Sequence, residues 1–143
     1  EDVLLSMRAK MFRFDDKARE WKERGLGDAR LQLNRNTNQV RVLMRREHTM
    51  RVCANHAVTP RLTYSPMQGS DKALTFTCSD FSGLNEVGEE TGEVYTGMFA
   101  LRFRDKESAG AWRDAVAKCV GGDFSGFART PALDLRAPKI ETP

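Results

Sequence analysis

Arginines are concentrated in one central stretch of the chain, between Val40 and Leu62. Five of them stand there against a single acidic residue, Glu47: Arg41, Arg45, Arg46, Arg51 and Arg61. A guanidinium group is planar and presents a fork of N–H donors, so it suits bidentate contacts to carboxylates or phosphates. Arg41 and Arg45 are four residues apart and would share one face of a β-strand. The spacing predicts either a basic stripe that binds an anionic partner or a solvated sheet face, and the pattern alone leaves both open.

No catalytic motif accompanies the arginines. The sequence has no glycine-rich phosphate loop before a lysine, no nucleophile elbow and no zinc-protease helix motif. Cys53 and His56 stand three residues apart with His48 nearby, but four zinc ligands at finger or ribbon spacing are absent. Positions 53 and 56 of a strand also point to opposite faces. We interpret Cys53 as a small buried apolar residue and expect no enzymatic activity and no metal.

Short strands with alternating apolar and polar residues must position the arginines. The alternation predicts about seven strands, in the regions Met7–Met11, Ala29–Leu33, Val40–Arg45, Val52–Ala54, Leu62–Tyr64, Leu74–Ser79 and Met98–Arg104. The segment 34–38 (NRNTN) between the second and third of these is typical of a hairpin turn, because asparagine tolerates left-handed backbone angles.

The apolar period changes after Asp105. Small and apolar residues then recur at three and four residues, as on one face of a helix: Ala109, Trp112, Ala115, Val116, Cys119 and Val120. Asp105 is a predicted N-cap, and Gly121–Gly122 ends the helix. We predict a mainly β, α+β fold of the pleckstrin-homology-like class, an antiparallel barrel or sandwich capped by one C-terminal helix. The domain covers residues 1–120 and an extended tail covers 121–143.

Length and composition limit the class of protein. The 143 residues, 40% hydrophobic and 30% charged, suit one globular domain, and there is no apolar run of membrane-spanning length. No signal peptide is expected, and three widely spaced cysteines favour reduced thiols in a cytosolic or nuclear compartment. The net charge of +3 hides an uneven distribution, since residues 82–97 carry four glutamates and no basic residue. We therefore expect a specific acidic partner rather than general polyanion binding.

Several motifs in fixed order resemble the Ran-binding domain family. They are 7–14 (MRAKMFRF), 20–25 (EWKERG), 41–46 (RVLMRR), 52–56 (VCANH), Thr59–Pro60, 69–71 (GSD), 79–81 (SDF) and 101–103 (LRF) before the helix. The match covers roughly residues 3 to 119 and is closest to the small single-domain member type. The family usually has tryptophans where Leu74 and Phe76 stand, and a shorter, less acidic segment than 82–97.

The resemblance implies a binding module for the GTP-bound form of the small GTPase Ran. GTP and magnesium then belong to the partner, and the module itself needs no cofactor. Family members assist the GTPase-activating protein of Ran and help to release Ran-GTP from nuclear transport receptors, so ternary complexes with both are expected. The resemblance also implies a monomer without nucleic-acid or membrane contacts, located in the cytoplasm, at the nuclear envelope or shuttling through the nucleus.

The resemblance also implies which residues contact the partner. The acidic C-terminal tail of Ran meets a basic patch in the family, for which Arg41, Arg45, Arg46 and Arg51 are the candidates. Motif positions add Trp21, Lys22, Asn55 and His56, although the pattern around Trp21 alone fits a core residue or an exposed anchor equally. The alternative function is a phosphoinositide- or nucleic-acid-binding module that uses the same arginines on phosphates. Acidic residues among Lys17, Arg19, Lys22 and Arg24 weaken that alternative.

Overall fold

The computed structural model describes residues 1–85 and 88–132. These residues form a curled antiparallel sheet and one helix. The elements in chain order are β1 (Asp2–Asp15), β2 (Glu20–Leu33), β3 (Val40–Arg46), β4 (Val52–Ala57), β5 (Ser65–Pro66), β6 (Ala73–Leu84), β7 (Glu90–Phe103), α1 (Lys106–Val120) and β8 (Thr130–Pro131).

The strands are hydrogen-bonded in the order β4-β3-β2-β1-β7-β6-β5, and β8 pairs with the beginning of β1. The β2–β3 hairpin turns at the asparagine-rich segment, where Asn38 has a φ of 60° and the Asn34 side chain accepts bonds from the next turn. The sheet curls until β4 faces β6, and the backbone N–H of Asn55 donates to the Asp80 carboxylate at 2.8 Å. A side chain of β6 therefore helps to close the barrel.

Two glycines let β2 pass very close to its neighbours. A Cβ on Gly27 would lie 2.0 Å from the Arg45 carbonyl oxygen, and one on Gly25 would lie 2.7 Å from Cys53 Sγ. The backbone at Gly27 leaves no room for any side chain, because the obstacle is a carbonyl of β3 rather than a flexible side chain. Glycine is required here for close strand approach.

The helix α1 covers one end of the barrel with its apolar face. Asp105 caps it by accepting the Ser108 N–H at 2.8 Å, as predicted. Trp112 is fully buried and packs against Phe103, with ring centroids 5.6 Å apart. Within the described residues, no helix has the length and apolar character needed to cross a membrane.

The predicted class and the C-terminal helix are confirmed, but one predicted strand is wrong. Leu62–Tyr64 is not a strand, because Leu62 N–H bonds to the Thr59 carbonyl in a turn and only Ser65–Pro66 pairs with β6. Alternation misled here because Leu62 and Tyr64 are both buried without belonging to a ladder. Most described residues of 82–97 belong to β6 and β7, so the acidic segment is largely a β-hairpin.

The chain continues after α1 back to its own first strand. Phe124 and Phe127 pack against the core, and Thr130 and Pro131 pair with Val3 and Asp2. Residues 121–132 therefore lie partly against the domain. The prediction of an extended tail for residues 133–143 falls outside the described residues.

The close approach at Gly27 leads to a stability prediction. Gly27→Ala should lower the free energy of unfolding by about 3 kcal/mol or more, because backbone must move to admit the methyl group. Gly110→Ala is the matched control: a Cβ there meets no atom within 4 Å, and removing a mid-helix glycine should stabilise by about 0.5–1 kcal/mol. Chemical denaturation monitored by tryptophan fluorescence measures both. Equal effects of the two substitutions would contradict the close-approach argument.

Candidate functional site

Four arginines lie on the outer face of β1, β2 and β3 around the side chain of Leu43. The register places Arg30 opposite Leu43 and Asp28 opposite Arg45, while Arg8 of β1 lies opposite Asp28. Two shallow grooves on this face are lined by Arg8, Arg30, Arg41 and Arg45. We call these four residues the basic face. Arg41 and Arg45 do share one strand face, as their spacing predicted.

Acidic residues are interleaved with the basic face. Arg8 forms an ion pair with Glu47, whose pKa is lowered chiefly by the hydrogen bond from Arg8. Arg41 Nε donates to Glu1 Oε1 at 3.1 Å, and Arg45 Nη1 donates to the Met50 carbonyl at 3.0 Å. Arg30 has neither an ion-pair nor a hydrogen-bond partner among residues 1–85 and 88–132. The face therefore offers at least one guanidinium that is ready to bind an anion.

A buried polar network lies inside the barrel and connects β2, β4 and β6. Arg24 of β2 and Asp80 of β6 are 1% and 0% exposed, and Arg24 Nη2 lies 3.4 Å from Asp80 Oδ2. The same nitrogen donates to the Leu84 carbonyl at 2.9 Å, and Ser82 Oγ donates to Asp80. The Arg24 guanidinium also lies over the Phe99 ring, 5.0 Å from its centroid. Both charges are thus compensated inside the barrel, as buried charges must be.

The network changes the protonation equilibria of its members. Burial alone would raise the pKa of Asp80, but His56, the Asn55 N–H, Ser82 and the Arg24 charge outweigh it, and the net pKa is lowered. Burial lowers the pKa of Arg24, and the Asp80 charge opposes that effect. A guanidinium still remains charged at neutral pH. The buried pair is therefore ionised in the folded protein.

Three of the predicted partner contacts belong to this network or border it. Arg46 Nε donates to the Arg24 carbonyl at 2.8 Å, and the Asn55 side chain accepts from Arg41 Nη1 at 3.3 Å. His56 differs most from expectation, because its side chain is 0% exposed, with Nδ1 3.7 Å from Asp80 Oδ1 and the ring beside Phe76. His56 therefore supports β4 from the interior and presents no surface to a partner. The alternation with Ala54 on the core face explains its burial.

The other three predicted contacts lie apart from the basic face. Trp21 is half-buried and packs edge-on against Phe14, with ring centroids 5.2 Å apart. Lys22 forms an ion pair with Glu20 at 2.6 Å, which raises the pKa of the lysine. Arg51 forms an ion pair with Glu90 at the start of β7. The structure therefore brings together only Arg41 and Arg45 of the predicted stripe.

Cys53, which the sequence offered as a possible nucleophile or metal ligand, lies in the core. Cys53 is fully buried, and burial raises the pKa of its thiol to about 12. That confirms the interpretation of Cys53 as a small core residue. No group of three potential ligands that could hold a metal ion occurs within residues 1–85 and 88–132.

Sequence reasoning missed Arg8, Arg30 and the Arg24–Asp80 pair. Arg30 was recoverable, because the predicted turn at 34–38 fixes the β2–β3 register and places it opposite Leu43. Arg24 could not be identified from the sequence. It stands among charged residues in the segment 20–24, and no local pattern indicates that its side chain points into the barrel. Its partner lies 56 positions away, beyond the reach of local pattern.

Comparison with known proteins establishes the family. The model of the RanBP1 domain family matches residues 1–121. The chain therefore belongs to the RanBP1 domain family.

Individual relatives agree with this assignment. The chain is 41% identical over 121 residues to a Ran-specific GTPase-activating protein homolog from Dictyostelium discoideum, with 83% of this chain and 60% of the relative covered. It is 38% identical over 119 residues to human E3 SUMO-protein ligase RanBP2, with 83% of this chain and 3% of the relative covered. The chain thus spans less than two thirds of the first relative and a small part of the second.

A solved structure confirms the fold. The crystal structure of the Ran-binding domain from the nuclear complex component Nup2 of Ashbya gossypii is similar, with a TM-score of 0.66 at 23% identity. The similarity covers 85% of this chain and 97% of that chain.

The buried pair leads to a prediction about acid stability. Asp80→Asn should cost about 3–5 kcal/mol, because it leaves Arg24 buried without a counter-charge. A carboxyl with a lowered pKa stabilises the fold above its unfolded value of 3.8, and that stability is lost as the pH falls through the lower folded value. The unfolding free energy of the wild type should therefore fall more steeply below about pH 5 than that of Asp80→Asn.

Denaturant titrations between pH 3 and pH 7 measure this difference. Asp71→Asn removes an exposed carboxylate and serves as the control. If the free energy of unfolding of Asp80→Asn depends on pH as that of the wild type does, Asp80 is not the group that titrates.

Proposed function

We propose that this chain is a non-catalytic binding module for the GTP-bound form of Ran. In this proposal an acidic segment of Ran binds to the basic face. The observation that carries the proposal is Arg30, which lies beside Arg41 and Arg45 and has no ion-pair or hydrogen-bond partner among the described residues. The named relatives support Ran as the partner, since one is called Ran-specific GTPase-activating protein homolog and the other RanBP2.

The interleaved acids give the basic face selectivity. Asp28, Glu47 and Glu1 offset most of the positive charge of the four arginines. A diffuse polyanion would therefore gain little binding free energy there. A peptide gains more when its carboxylates reach the guanidinium groups in the correct register. This arrangement favours an acidic protein segment over a membrane surface or nucleic acid, which are the alternative ligands.

Recognition of the GTP state follows from the partner and not from a nucleotide site on this chain. GTP and magnesium order the switch segments of a small GTPase, so a module that binds the ordered form favours the GTP state. No cofactor of its own is required. In the same role the module would assist the GTPase-activating protein and help to release Ran-GTP from transport receptors, in the cytoplasm, at the nuclear envelope or while shuttling through the nucleus.

The separated residues define a second part of the proposed interface. Trp21 and Lys22 lie at the end of β2 that is remote from the β2–β3 turn, and Arg51 lies beside the acidic hairpin. They are suited to contact the folded body of the GTPase, while Arg30, Arg41 and Arg45 bind its acidic segment. Asn55 orients Arg41, and Arg46 and His56 support the strands from below.

Nucleotide-state dependence is the first test. The chain should retain Ran loaded with a non-hydrolysable GTP analogue and should retain Ran-GDP much more weakly, because only the former orders the switch segments. Binding by isothermal titration calorimetry measures both states. Equal or absent binding in both states would overturn the proposal, and binding to phosphoinositide vesicles or RNA instead would favour the alternative.

Charge reversal locates the acidic contact. Arg30→Glu with Arg45→Glu should weaken binding of Ran-GTP by several kcal/mol, since truncating each desolvated charge pair costs about 2–5 kcal/mol. Arg113→Glu on α1 is the control of the same chemistry on an exposed helix position. Deletion of the acidic C-terminal tail of Ran should erase most of the difference between wild type and the double variant. A loss that persists without the tail would place those arginines against another part of the partner.

A further inference from the structure

The carboxylate of Glu1 already occupies one end of the basic face. Its Oε1 accepts a 2.7 Å hydrogen bond from Gln32 Nε2 and a 3.1 Å bond from Arg41 Nε. The Glu1 side chain is only 26% exposed and Gln32 is 3% exposed, so the carboxylate is seated in a formed site and not merely close to a surface charge. Gln32 and Arg41 lie directly opposite one another on β2 and β3, which fixes the two donors relative to each other. We call these two residues the carboxylate subsite.

The end of the described chain fixes Glu1 in this position. The Ala132 N–H donates to the Glu1 carbonyl at 2.8 Å, in continuation of the β1–β8 pairing. The next residue, Asp2, is buried and forms ion pairs with Arg35 at 3.4 Å and Arg129 at 3.8 Å. The backbone of Glu1 is therefore bonded to Ala132, while its side chain reaches Arg41. These contacts keep the carboxylate close to Arg41 in the absence of any partner.

Glu1 also lies between two surface grooves. One is the groove lined by Arg30, Leu43 and Arg45. The other is lined by Val40, Val58 and Phe81, whose side chain is 59% exposed. Glu1 lines both grooves. A side chain that displaced Glu1 from Arg41 would make the two grooves continuous.

We propose that Glu1 is an internal competitor for the carboxylate subsite, which an acidic side chain of the partner must displace to bind across the basic face. The inference rests on the proposed function for the identity of the partner, and it adds a subsite, its ligand chemistry and a built-in limit on affinity. Displacement exchanges one carboxylate for another on Gln32 and Arg41. The intramolecular carboxylate has the advantage of a high effective concentration, which lowers the apparent affinity for the partner.

Glu1→Gln tests the competition. The neutral amide should release the subsite and tighten binding of Ran carrying a GTP analogue by about two- to fivefold, the size expected for a partly exposed ion pair. Glu107→Gln removes the same charge from the first turn of α1, which packs against β1, β6 and β7, and should leave affinity unchanged. In an Arg41→Gln background, Glu1→Gln should give no gain.

Binding of Ran that lacks its acidic C-terminal segment distinguishes the proposed acidic contact from the internal competition by Glu1. If wild type binds it as tightly as intact Ran, the proposed acidic contact fails and the inference fails with it. If the segment matters but Glu1→Gln binds no more tightly than Glu107→Gln, only the internal competition is overturned. The side-chain amide resonances of Gln32 give a readout independent of affinity: intact Ran-GTP should shift them in wild type, whereas unchanged resonances would place the partner elsewhere.

Discussion

The structure depends on one buried carboxylate, Asp80. It accepts the Asn55 N–H from β4, lies 3.7 Å from His56 of the same strand, and neutralises Arg24 of β2. Strands β2, β4 and β6 are not neighbours in the hydrogen-bonded order of the sheet. A single ionised group therefore connects parts of the sheet that backbone pairing leaves apart. Its cost of burial is offset by the Asn55 and Ser82 donors and by the Arg24 cation.

The closed barrel in turn positions the proposed binding surface. Arg46 bonds to the Arg24 carbonyl, and Asn55 bonds both to Asp80 through its backbone and to Arg41 through its side chain. The interior network thus continues outward to the basic face through Asn55, which bonds to Arg41. The residues proposed to bind an anion and the residues that hold the strands are different, but they share hydrogen bonds. A change in the interior should accordingly affect the surface as well as stability.

Local pattern predicted much of the fold from the sequence. The asparagine turn, the alternation in β3 and the capped helix with Trp112 all depend on residues close together in the chain. Leu62–Tyr64 failed because burial at alternate positions also occurs in a turn region that packs on the core. The lengths of β6 and β7 were underestimated because exposed strand residues such as Thr91 and Glu93 lack an apolar period.

The candidate site was predictable only in part. Arg41 and Arg45 share a face by simple strand geometry, and the turn register would have added Arg30. The burial of Arg24 and His56, and the seat of Glu1 on Gln32, arise from contacts between distant segments that no local pattern encodes. Family resemblance identified the motifs that contain Arg24 and His56. It did not show which residues of those motifs are buried and which lie on the surface.

Titration of the ¹⁵N-labelled chain with Ran bound to a GTP analogue shows whether the partner binds the basic face. Arginine Nε–Hε resonances report on each guanidinium separately. Arg30, Arg41 and Arg45 should show large shifts, with little change for Arg113 on α1. Shifts concentrated on α1, with the three arginines of β2 and β3 unchanged, would show that Ran binds another surface.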